Sequence, residues 1–383
     1  MNFDPLSSEA KNLLTLTGVN GYGKGKKIKG GHRLDQDCIT VTVEEKKPID
    51  QISPSDVIPS TVDGIPTDVI AIGKLQPMAG EETFASTASE GNPILMGGVS
   101  IGAYYPTQTP AEQSWVGTLG GFFLDTFDNS LVLMTCYHIC GMNIDGTYLS
   151  PAEDLTTTEI LHPGGQCSDP LQTRIAQLRD YIKPVGADSP NNIGDVSICT
   201  VYRAPSEAGA REISMRPKNL NGNTSGMRTL DPVVGMPIIT TGRTTDQTSG
   251  FVLVTDATVT VADATFYGQV ICTHSIMPGD SGALVYTGSG DNISAIVGLM
   301  FAGSPPPQPP DPTTCVSYGV SSVFTPINTI LEAFNNDTLR YGGQPHPFRT
   351  AAPLIVPTEE QLMAMLSAPS RIDPQSSKVV MKL

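Results

Sequence analysis

From about residue 94 onward, apolar residues come in short alternating or continuous runs broken by Gly, Pro, Asn and Asp, a spacing that predicts strands and turns rather than helices. Val99–Tyr104, Val116–Leu124, Leu131–Met134, Arg174–Ile182 and Val196–Tyr202 predict the strands of a first body over 94–204. After a polar, Gly- and Asn-rich connection at 205–230, the pattern resumes. Pro237–Thr240, Phe251–Val261, Phe266–Thr273, Ala283–Tyr286, Ile296–Phe301 and Val316–Val323 predict a second body over 231–336, which Asn328–Phe334, just behind Pro326, closes with a short helix.

The flanks read differently. Residues 1–78 predict a small α+β module: an apolar opening at Leu13, Leu14 and Leu16, a glycine-rich turn, a strand at Cys38–Val43 and another at Pro66–Ile72. A Gly/Ser/Thr/Glu-rich stretch at 79–93 reads as a linker, and Ser304–Pro312 as a rigid surface loop. In the tail, 337–383, Thr358-Glu-Glu-Gln361 predicts a capping box for a helix carrying Leu362, Met363, Met365 and Leu366.

Composition sharpens this picture. With 38 Gly, 32 Pro and only 16% charged residues, the 383-residue chain suits many short strands joined by tight turns: a mainly β protein with two antiparallel six-stranded β-barrels. A net charge of −15 opposes binding to phosphate backbones, so nucleic acid is not expected as a partner, and the run Lys24-Gly-Lys-Lys-Ile-Lys29 reads as a solvated loop. The opening Met-Asn-Phe-Asp-Pro has no basic and apolar leader, and no long apolar span occurs, so a soluble cytoplasmic protein without membrane contact is expected. Seven scattered cysteines fit free thiols better than a disulfide framework. Cys136, His138 and Cys140 alternate and could join Cys167 around zinc, but the paired ligand spacings of zinc fingers are missing, and neither metal nor cofactor is expected.

The strongest chemical signal is Pro278-Gly-Asp-Ser-Gly-Ala-Leu-Val285, a serine held on a tight turn just before an apolar strand. Gly279 allows close backbone approach, and the N–H groups of Gly279 and Ser281 can form an oxyanion hole, in which one donor typically contributes about 3 kcal/mol to the transition state. A serine hydroxyl needs a base, and His138 follows the strand Leu131–Met134 directly. His274, on the segment leading to Ser281, is the main rival; His32 and His346 lie in the flanks and His162 in a Pro/Gly loop. The imidazole needs a carboxylate to orient it, for which Asp195, at the head of an apolar strand, is the candidate, with Asp145 and Asp188 as rivals.

His, Asp and Ser in that order, a histidine closing a hydrophobic strand beside cysteines, Gly194-Asp-Val-Ser-Ile198, and Gly279-Asp-Ser-Gly282 followed by Ala-Leu-Val together resemble the trypsin-like (chymotrypsin-fold) serine peptidases. Gly242–Gly250 and Val297–Gly303 look like second-barrel segments of intracellular bacterial members of that superfamily, and the leading module resembles their N-terminal extension. The resemblance covers roughly 94–335. It implies a serine endopeptidase acting on protein or peptide substrates, with His138, Asp195 and Ser281 catalytic, Gly279 and Ser281 as the oxyanion hole, and Ser275, Ala302 and Gly303 lining the substrate pocket. Ser275, six residues before the nucleophile, brings no carboxylate to the pocket base, so an apolar or medium-sized residue is expected before the cut. No Ile-Val-Gly-Gly activation site precedes the first barrel, so Asp280 needs another partner, with Arg243 one candidate. The alternative is a catalytically silent or latent module of the same fold that binds a regulatory protein partner.

Overall fold

The computed structural model describes residues 3–78, 94–105, 113–141, 158–165, 173–182, 184, 192–202, 212–262, 264–274, 276–304, 321–336 and 353–367. They form a mainly β protein in two antiparallel bodies whose strands fall mostly on the predicted apolar runs; Glu159–His162, where a Pro/Gly loop is expected around His162, is a further strand, and 316–320 of the last predicted run lie outside the described residues.

In the first body, strands pair in the order Gly121–Asp125, Ser130–Thr135, Val196–Val201, Thr173–Ile182, Glu159–His162, Ser100–Tyr104, Gln113–Thr118. The run Val116–Leu124, predicted as one strand, is two, because the chain turns at Leu119–Gly120. A short piece of the tail, Leu354–Ile355, pairs with Gly121–Asp125 and adds an edge. In the second body six strands pair in a circuit that returns to its start: Pro237–Gly242, Leu284–Ser289, Asn292–Gly303, Ser322–Pro326, Ala264–Cys272 and Asp246–Val261, the last pairing again with the first. A buried apolar cluster fills this body, with Ile238, Val252, Val270, Ile276, Val285, Val297, Met300 and Phe324 among its members. The predicted closing helix is Ile327–Asn335, with Ile327, Ile330, Ala333 and Phe334 buried on one face.

The leading segment is an extension of the second body's sheet. Val19–Lys29 pairs with Asp246–Val261 on one side and with His32–Val43 on the other, and Ile65–Ala71 lies parallel to His32–Val43. This corrects two expectations, the glycine-rich turn and the solvated lysine loop: Gly21, Gly23, Gly25 and the lysines all lie on the strand Val19–Lys29. These glycines serve close strand packing, since a Cβ on Gly25 would sit 2.0 Å from Thr40 Oγ1. Lys24 and Lys26 pair with Asp256 and with Asp35 and Asp37.

The capping box in the tail forms in both directions. The Thr358 N–H donates to Gln361 Oε1 (2.9 Å) and the Gln361 N–H to Thr358 Oγ1 (3.2 Å), starting the helix Glu359–Ser367. No helix among the described residues is long and apolar enough to cross a membrane. The linker at 79–93 and most of Ser304–Pro312 lie outside the described residues.

Candidate active site

The strand Ser130–Thr135 is buried along its length and ends at Cys136, where the backbone is still extended before one turn of helix, Tyr137–Cys140. That turn carries His138. Antiparallel pairing sets Thr135 opposite Ser197, so the next steps of the two chains bring His138 and Asp195 together. The Asp195 carboxylate takes two bonds from the same residue: Oδ1 accepts the His138 backbone N–H (2.9 Å) and Oδ2 lies 2.6 Å from Nδ1. Both residues are buried. With Nδ1 engaged, the ring's other nitrogen, Nε2, is buried and has no hydrogen-bond partner among the described residues.

Ser281 stands on the turn between Ala264–Cys272 and Leu284–Ser289. Gly279 and Gly282, either side of it, have φ of +105° and +94°, a conformation that side chains rarely adopt. Space reinforces this, because a Cβ on Gly282 would lie 2.3 Å from Thr118 O and from Thr135 Oγ1.

The serine turn and the histidine turn meet. Cys136 Sγ and the Gly282 N–H both bond the Met300 carbonyl (3.2 and 2.9 Å), and the Thr118 N–H donates to Ser281 O (2.8 Å). Thr118 ties the two bodies further, its hydroxyl donating to Gly279 O (2.9 Å) while accepting from the Arg243 N–H (3.0 Å). Sequence reasoning missed Thr118; a threonine at a strand end carries no chemical signal by itself.

Asp280 is buried and is not ion-paired by hydrogen bonds to Arg243, as the sequence allowed. Its carboxylate accepts instead from the N–H groups of Met277 (2.8 Å), Thr244 (2.9 Å) and Thr245 (3.1 Å) and from the Thr245 hydroxyl (2.8 Å). Burial holds its pKa above the usual carboxylate range, with these four donors opposing the rise. Arg243 acts on it only through space, and burial lowers the guanidinium's pKa.

His274, the rival base, lies elsewhere in function: its Nε2 bonds Thr248 Oγ1 (2.9 Å) and Thr240 Oγ1 (3.1 Å), and burial lowers its pKa to about 4. His162 is buried with Nδ1 on Ser100 O (2.7 Å), and His32 is exposed on a strand. Asp145, Asp188, His346 and Cys167 lie outside the described residues, as does Ser275 of the expected pocket. Cys136, His138 and Asp195 bring one donor atom each within 4.8 Å of one another, but Nδ1 and the carboxylate are already joined, the Cys136 thiol donates to Met300 O, and burial pushes its pKa well up, away from the thiolate that a metal requires.

Ala302 and Gly303 are engaged by the chain itself. A two-residue strand, Gln76–Pro77, pairs antiparallel with them, Ala302 opposite Pro77 and Gly303 opposite Gln76. The next residue, Met78, donates its N–H to Phe301 O (3.2 Å), while its carbonyl accepts from the N–H groups of Gly279 (2.6 Å) and Ser281 (3.4 Å). Its side chain is 0% exposed and packs into the second body's apolar cluster. Ser281 Oγ donates to the same Phe301 carbonyl (3.0 Å). Phe301 and Met78 were missed by sequence reasoning, which placed 76–78 between a strand and a linker; backbone carbonyls leave no mark in residue types.

No family model and no curated protein matches the chain. Among solved structures, Protease A of Thermobifida fusca is similar at 18% identity, TM-score 0.40, over 69% of this chain and 99% of its own. The Nocardiopsis protease NAPase is similar at 15% identity, TM-score 0.38, over 63% and 96%. The MamO protease domain of Magnetospirillum magneticum is similar at 13% identity, TM-score 0.31, over 61% and 94%.

Proposed function

We propose that the chain is a serine endopeptidase that cleaves protein or peptide substrates through an acyl-enzyme on Ser281. The observation that carries the reading is the His138–Asp195 pair: a carboxylate on Nδ1 and on the backbone N–H of the same residue fixes the tautomer that leaves Nε2 free to take a proton. Ser281 would attack the substrate carbonyl, His138 would carry its proton to the leaving amine, and water would release the acyl group. The N–H groups of Gly279 and Ser281 would hold the developing oxyanion, since both already point at one carbonyl oxygen. The neutral serine hydroxyl is the only nucleophile this scheme needs, and its present bond to Phe301 O requires a turn about χ1 before it can reach a base.

Hydrolysis of an unstructured protein such as casein tests the roles. Asp195→Asn is expected to lower kcat by about 10⁴, by favouring the wrong tautomer, with KM little changed. A variant as active as the wild type would remove Asp195 from the mechanism.

A further inference from the structure

We propose that the bond between Met78 and Ala79 is a self-cleavage site, cut by Ser281 of the same chain. This rests on the hydrolase reading above and extends it to a specific substrate.

The contacts that hold a peptide for attack at such a site are all made by Gln76–Met78. Two residues pair as an antiparallel strand with Ala302 and Gly303, which gives affinity and direction through backbone bonds. The N–H of Met78 is fixed on Phe301 O, and its carbonyl oxygen takes both backbone donors of Gly279 and Ser281. A carbonyl carbon whose oxygen is held in that way is the electrophile of the scheme, and the residue owning it supplies the side chain for the primary pocket. Met78 supplies that side chain: it is fully buried and belongs to the apolar cluster that also holds Ile276, Ala283, Val297 and Met300. Along this segment Leu75 and Met78 are buried, Gln76 is exposed and Pro77 half-buried.

The delivery is equally specific. Ile72 is tied to Val43 O and Gly73 O accepts from Asn20 Nδ2, so the leading segment anchors the strand at its upstream end. Ser281 Oγ shares the Phe301 carbonyl with the Met78 N–H, so the nucleophile and the residue it would attack hold one acceptor between them. Downstream, the sequence continues Ala79-Gly80, small residues that make few steric demands on the leaving side.

In the reaction, Ser281 Oγ bonds to the Met78 carbonyl carbon as its proton passes to His138 Nε2. The carbon–nitrogen bond to Ala79 breaks, the nitrogen taking that proton and leaving as a new amino terminus. One water then adds to the ester, giving the Met78 carboxylate and free Ser281. Because Val19–Lys29 stays paired in the sheet with Asp246–Val261, residues 1–78 remain attached after the cut.

Intact-mass analysis of the purified full-length protein, under denaturing and native conditions, tests this. The expected result is two chains, 1–78 and 79–383, that separate only on denaturation. Ser281→Ala should stay whole, Met78→Leu should be cut, and Met78→Asp should be cut at least about tenfold more slowly because the pocket then receives an unpaired carboxylate. An uncut wild type whose Ser281 is labelled by a fluorophosphonate, faster in Met78→Asp, would overturn self-cleavage and leave the protease reading standing, with Met78 a plug. Cutting of Ser281→Ala by added wild type, or cutting at another bond, would equally overturn it. No cutting and no labelling in any variant would sink both readings.

Discussion

His138 and His274 are both buried, yet only one retains an open nitrogen next to a carboxylate. His274 spends Nε2 on two threonine hydroxyls and has no charge partner among the described residues, so its neutral form is the one folding requires. The sign of the consequence follows. An unfolded imidazole takes its proton near pH 6.5 and the folded one only near 4, so between those values the unfolded state binds more protons and acidification weakens the fold. The wild type should lose on the order of 3 kcal/mol between pH 7 and pH 4 from this group. His274→Gln should show a correspondingly flatter dependence in denaturant titrations, and an unchanged slope would count against the assignment. At this scale the sequence was informative where side chains meet: it singled out His138 and Asp195 by type and position, and the fold pairs them. It was uninformative where backbone atoms act, as at Met78 and Phe301, and it offered Arg243 to Asp280 because main-chain donors at Thr244 and Thr245 have no signature in side chains.

Among the elements, the apolar runs marked most strands because burial imposes period two on them, and the Thr358–Gln361 box marked its helix because capping uses specific side chains. Val19–Lys29 escaped, since its glycines resemble turn residues and its lysines a solvated loop. Their true reason is lateral: neighbouring strands come too close for a side chain. Gly25→Ala, with its Cβ 2.0 Å from Thr40 Oγ1, should therefore destabilise the protein by about 1–3 kcal/mol in chemical denaturation, whereas the same change made in a Thr40→Ala background, which removes that hydroxyl, should cost less than that. Equal effects would mean that the strand tolerates spreading.

For the molecule as a whole, one arrangement organises the rest: the two β bodies meet where Thr118 bonds Gly279 O and Cys136 bonds Met300 O, which brings the turn carrying His138 against the turn carrying Ser281. The leading segment, which by sequence alone is only an appended module, shares a sheet with the second body and sends Met78 into the site. That connection depends on long-range strand pairing, which local patterns do not encode. The most direct test is covalent capture of the nucleophile. After exposure to a fluorophosphonate, mass spectrometry of the wild type and of Met78→Asp is expected to find one adduct, on Ser281. It should be absent in Ser281→Ala and greatly slowed in His138→Ala. No adduct on Ser281 in either the wild type or Met78→Asp, with the proteins folded, would contradict the account.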